Sequence, residues 1–156
     1  MSSSFITPSP SAISSLLAVI FGENITVSGC EPLELNSQHV ATFIDDEDKV
    51  VALCACDIEF VAYSGAALSM IPPDIANEMI SGRSVTDAMH DNFYEVMNIC
   101  SKLLMSDSSA HLRLGKTMSP DSAAEPIAAL QDSGKITGFG IDIPNYGKGT
   151  LTFVVT

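Results

Sequence analysis

Asp91, Glu95 and Asn98 stand four and three residues apart within the run Ser84 to Met105, SVTDAMHDNFYEVMNICSKLLM. At about 100° per residue of helix, the three lie within roughly 60° of one another. A helix here would therefore display two carboxylates and a carboxamide as one stripe. Carboxylates accept hydrogen bonds and pair with cations, whereas a carboxamide both donates and accepts. Such a trio can orient a reactant; a solvated helix face accounts for the same pattern. General acid–base catalysis by Asp91 and Glu95 ranks third, because no nucleophile falls beside them. His90 is adjacent in sequence but about 100° round the helix.

The helix that would carry the stripe is well signalled. Ser84 is a candidate N-cap, and Asp87 completes an acidic version of the capping box. Val85, Met89, Phe93, Val96, Cys100 and Leu103 recur at three or four residues and predict one buried face. Around it, Ser11 to Phe21 reads as a first helix ended by Gly22, with a short extended piece near Ile25 to Val27. His39 to Ile44 and Lys49 to Cys56 read as strands. Val50 to Cys56 is continuously apolar, which predicts a central strand buried on both faces. That strand needs cover on its second side, which a partner subunit would supply. Ile58 to Leu68 reads as a further strand after a bend near Asp57. Pro72 to Ile80 reads as a short helix closed by Gly82, anchored by Met70, Ile71, Ile75, Met79 and Ile80. Ser106 to Ser109 is a loop, His111 to Met118 a strand, and Ala123 to Gln131 a short helix despite Pro126. Ile136 to Ile143 and Leu151 to Thr156 alternate as a closing hairpin. This order predicts an α+β domain over 11–156: a mostly antiparallel sheet with helices packed on one face. Residues 1–10, rich in Ser and Pro, read as a loose tail.

The chain has 156 residues and a net charge of −12, with 46% hydrophobic and 17% charged residues. That is a globular composition. The charge argues against nucleic acid and against an anionic membrane surface, and favours a basic or mixed-charge protein partner. The apolar run Ala12 to Phe21 is too short to span a bilayer and has no basic residue before it, so the cytoplasm is the expected compartment. The four cysteines, Cys30, Cys54, Cys56 and Cys100, have no disulfide-framework spacing and read as buried free thiols. A metal site from His39, Cys54 and Cys56 lacks paired ligand spacing. Asp45 to Asp48 lacks the spacing and central Gly of a calcium loop and reads as a hairpin turn. Gly138-Phe139-Gly140 falls in a strand, not in a phosphate-cradling loop.

The pattern D-x-x-x-E-x-x-N at Asp91, Glu95 and Asn98, followed after twenty-one residues by Pro120, resembles the signature of the CheC/CheX/FliY family of chemotaxis phosphatases. The element order resembles that of CheX. The resemblance implies hydrolysis of the phosphoaspartate of a response-regulator receiver domain, with Glu95 and Asn98 catalytic. Asn98 would orient the attacking water, and Glu95 would pair with the receiver's lysine. Asp91 would serve helix capping or docking, and Pro120 would be structural. Mg²⁺ is expected on the partner and no cofactor on this chain. A homodimer is expected by the same likeness. The chain departs from the family in carrying Cys100, Ser101 and Lys102 where small residues commonly follow the Asn. Lys102, one turn past Asn98, is therefore a second candidate for partner contact. A non-enzymatic receiver-binding or dimerising scaffold of the same fold is the alternative.

Overall fold

The computed structural model describes residues 5–106 and 109–156. In chain order the elements are α1 (Pro10–Phe21), β1 (Thr26–Cys30), β2 (His39–Ile44), β3 (Val50–Cys56), α2 (Ile58–Leu68), α3 (Pro73–Gly82) and α4 (Asp87–Cys100). After them come β4 (Arg113–Met118), α5 (Ala124–Leu130), β5 (Lys135–Ile143) and β6 (Gly147–Val155). The strands form one antiparallel sheet in the order β1-β5-β6-β3-β2-β4. Exchanging α1-β1-β2-β3 with α4-β4-β5-β6 simply reverses that order. The domain is thus two αβββ halves related by an approximate two-fold axis, and α1 is the counterpart of α4.

The α+β architecture expected from the sequence is the one observed. β3 is central, and all of it after Val50 is buried, as its apolar run requires. Ala52, Cys54 and Cys56 face α1, α2 and α4. Leu53 and Ala55 face the other way, onto Leu35, Ile127 and Leu130. The second cover therefore comes from α5 of the same chain, not from a partner subunit. Ala123, Ile127 and Leu130 supply it at helical spacing, and Pro126 sits in the first turn, where its missing N–H breaks no intrahelical bond. The closing hairpin lies inside the sheet, leaving β1 and β4 as its edges.

Ile58 to Leu68 is a helix, not the expected strand. The run is mostly apolar and mostly buried, and so few polar residues give only a weak period to separate the two. The deciding local signal is Asp57, an N-cap whose Oδ1 accepts from the N–H groups of Phe60 at 2.8 Å and Thr150 at 3.0 Å. α2 lies on β6 so closely that a Cβ on Gly149 would come 2.4 Å from the Phe60 Cα. The site helix is shorter than expected. Thr86, not Ser84, caps it, accepting from the Met89 N–H at 3.3 Å, and after Cys100 the chain tightens into a 3₁₀ turn, Ser101–Leu104. Val85 consequently precedes the helix and is only partly buried.

Three further expectations are corrected. Residues 1–4 lie outside the described residues, but the remainder of the presumed tail is tied down: Phe5 packs on the core and the Ile6 N–H reaches the Leu104 carbonyl at 2.9 Å. Cys30 is exposed on the edge strand β1, while Cys54, Cys56 and Cys100 are buried and free. Met70 and Ile75 do not anchor α3; Met70 is 88% exposed. Met70 occupies the left-handed position of the α2 C-terminus (φ 58°), with its N–H on Ala67 and the Ile71 N–H on Ala66. Glycine is preferred there. Met70→Gly is accordingly expected to raise the thermal midpoint by about 2 °C, the shift for relieving somewhat under 1 kcal/mol of strain in a chain of this size.

Candidate functional site on helix α4

Helix α4 presents two chemically distinct faces. Met89, Phe93, Val96, Met97 and Cys100 are buried, while Asp91, Glu95 and Asn98 are all exposed on the opposite side. The structure thus brings the three candidate residues together on one outward stripe. Among the described residues, no internal hydrogen bond or ion pair engages their side chains. Their hydrogen-bonding capacity is therefore free for a ligand or for water.

The stripe stands on a rigid support. Asn92, at the edge of the stripe, donates from Nδ2 to the Gly65 carbonyl at 2.9 Å and to Ser69 Oγ at 2.7 Å, tying α4 to α2. Gly65 permits that approach, since a Cβ there would lie 2.9 Å from Met89 Sδ. At the other end, Ser101 Oγ donates to the Asn98 carbonyl at 2.7 Å and closes the last turn. Lys102 is exposed but sits in the 3₁₀ turn, off the α-helical register that would have set it directly over Asn98. Tyr94, one turn before Asn98, is 41% exposed and flanks the stripe. The sequence pattern does not single it out, because a single aromatic at the rim of a helical pattern reads as partial core.

Pro120 belongs to a different surface. It opens a 3₁₀ turn and helps line a cleft of about 740 Å³ with His39, Asp57, Glu59, Arg83 and His90. Neither Glu95 nor Asn98 lines that cleft. The His39 and His90 rings lie 5.7 Å apart, and His39 also meets Phe93 edge-on at 6.2 Å. This pairing depends on the docking of α4 against β2, which no local pattern signals. Asp57 is occupied as the α2 cap; burial raises its pKa, and the two donated N–H bonds oppose that rise. Among the described residues no three His, Cys, Asp or Glu groups gather as a metal site. Burial keeps the Cys56 and Cys100 thiols protonated.

Burial, then the neighbouring His90, pushes His39 down to about 4. The unfolded chain takes up this proton near pH 6.5 and the folded chain resists it. The contribution is therefore full above about pH 6.5, falls as the pH drops towards 4, and levels below. It amounts to on the order of 3 kcal/mol. His39→Gln is expected to flatten that part of the pH profile of urea unfolding, measured as the difference from wild type between pH 7 and pH 4.5.

No protein-family model matches the chain, and no curated protein matches its sequence. Solved structures do match its shape. FliM from H. pylori, solved in a complex with SpeE, superposes with a TM-score of 0.67 at 10% identity, over 94% of this chain and 80% of that one. FliY from Thermotoga maritima gives 0.62 at 12% identity, over 92% and 81%. The FliM middle domain of Vibrio alginolyticus gives 0.58 at 12%, over 92% and 85%. The chain therefore shares the fold of FliM and FliY.

Proposed function

We propose that this chain, built on the CheC/CheX/FliY fold, is a cytoplasmic phosphatase for the phosphoaspartate of a response-regulator receiver domain in chemotaxis or related two-component signalling. The observation that carries this reading is the pair Glu95 and Asn98. They are exposed, free of internal partners, one turn apart on a helix locked by Asn92, and placed in the family's motif.

The chemistry asks little of the phosphatase. An acyl phosphate is labile, and the receiver supplies Mg²⁺ and a lysine. What remains is to hold a water in line with the phosphorus, and positioning of this kind supplies most of the catalysis in phosphoryl transfer. The Asn98 carboxamide can accept from the water through its oxygen and donate towards phosphate through its NH₂. Being neutral, it approaches a dianion without Coulomb repulsion. Glu95 pairs with the receiver's lysine and sets the angle of docking, while Asp91 and Lys102 contact the partner. No covalent intermediate on this chain and no cofactor of its own are required.

One site per chain is expected. Laying Ile13 and Leu17 of α1 on Phe93 and Met97 of α4 puts Ser11, Ser15 and Ala18 where α4 has Asp91, Glu95 and Asn98. The α1 helix has no amide or carboxylate for the task. A single subunit presents the whole stripe, so the reading does not need the homodimer that the family likeness suggested. Lys102 favours a second reading, in which a receiver docks without turnover. The two separate on phosphate release from an acetyl-phosphate-charged CheY-type receiver: acceleration by this chain supports the first, and a complex without acceleration supports the second.

A further inference from the structure

Met70 is anomalous on two counts. It is the most exposed large apolar side chain described, at 88%, and it holds a left-handed backbone conformation that suits glycine. Its neighbours fix it there. Ser69 is bound by Asn92 of α4, and the Ile71 carbonyl accepts from the Tyr146 hydroxyl at 2.6 Å. With both sides anchored, the thioether is held outward. Folding gains nothing from this arrangement.

The location gives the anomaly a meaning. The Ser69 contact places Met70 beside Asn92, which follows Asp91 and precedes Glu95 by one turn. On the other flank stands Tyr94, 41% exposed. The acidic centre of α4, with Asp87, Asp91 and Glu95 all exposed, thus has an apolar group at each rim. We infer that Met70 is a docking residue for the receiver domain that engages α4, seated on apolar surface around the receiver's cationic lysine and Mg²⁺ site. This inference rests on the phosphatase reading. Charge decides the occupant: the partner must set positive charge against the stripe and apolar surface against its rim, whereas a second copy of this chain, at −12, would meet like charge. A flexible, polarizable thioether suits a contact that must accommodate a partner's surface.

The test is a comparison of wild type, Met70→Gly and Val19→Ser in steady-state dephosphorylation of a CheY-type receiver charged with acetyl phosphate and Mg²⁺. Val19 is equally exposed, at 86%, but lies on α1, a different helix from the α4 stripe and from the α2 end that carries Met70. Met70→Gly keeps the preferred backbone, so it folds. It is expected to raise KM for the charged receiver about tenfold, the loss that follows removal of one well-buried apolar contact, with kcat within twofold. Val19→Ser is expected to leave both constants unchanged. Unaltered KM in Met70→Gly overturns the docking role while leaving the phosphatase reading intact, and so does a KM rise of equal size in Val19→Ser. Equilibrium binding of the beryllofluoride-charged receiver separates the other failure. A wild-type chain that neither binds it nor accelerates phosphate release overturns the phosphatase reading and the named partner together. A self-association lost in Met70→Gly, with receiver binding unchanged, shows the second copy to be the true occupant.

Discussion

Asn98→Ala is expected to reduce receiver dephosphorylation at least about a hundredfold, the scale at which loss of positioning acts on a rate. Its fold should be unchanged. Asn98 is exposed, its side chain binds nothing else among the described residues, and alanine is the better helix former. The thermal midpoint is therefore expected to match wild type. Binding of a beryllofluoride-charged receiver should survive, because Glu95, Asp91 and the apolar rim remain. Asn98→Asp should fail as well: a carboxylate has no NH₂ to donate and brings negative charge towards the phosphoryl group. Activity retained by Asn98→Ala, in a chain that binds normally, would remove the amide from the mechanism.

The largest effect on stability is expected at Phe93, directly beneath the stripe. Its ring is fully buried, edge-on to His39, in the cluster that joins α4 to the sheet. Phe93→Ala should cost about 3–5 kcal/mol, the usual range for emptying an aromatic site in a core. For a chain of this length that corresponds to a fall of about 10 °C in the thermal midpoint. The prediction distinguishes the two faces of one helix. Positions 93 and 98 are five residues apart, yet one should govern folding and the other turnover. Denaturant unfolding followed by circular dichroism measures the first; a loss below about 1 kcal/mol would mean that α4 is not held by this ring.

Much of the site was legible because it depends on a local period. Asp91, Glu95 and Asn98 repeat at helical spacing against Met89, Phe93, Val96 and Cys100, and such a pattern survives whatever the rest of the chain does. β3 was legible for a similar reason: an unbroken apolar run from Val50 to Cys56 has only an interior to occupy. What misled was also physical. Ile58 to Leu68 is mostly apolar, with Glu59, Tyr63 and Ser64 its few polar groups, so periodicity was weak and the Asp57 cap was the clearest mark of a helix. Ser84 and Thr86 are both competent caps, and the choice fell to the one from which Asp87 begins the first turn. The cover that α5 gives β3, the pairing of His39 with His90 and the outward projection of Met70 are tertiary facts. Each joins segments far apart in sequence: α5 with β3, β2 with α4, and α2 with α4.

The central claim is that the amide on α4 accelerates loss of phosphate from a receiver's aspartate. The most direct measurement is the initial rate of phosphate release from a CheY-type receiver, charged by acetyl phosphate and Mg²⁺, as this protein is titrated against it beside Asn98→Ala. A saturating rise with wild type and a flat line with Asn98→Ala is the predicted result. Equal rates with and without wild type, under conditions where the two proteins form a complex, would contradict the account and leave a docking scaffold in its place.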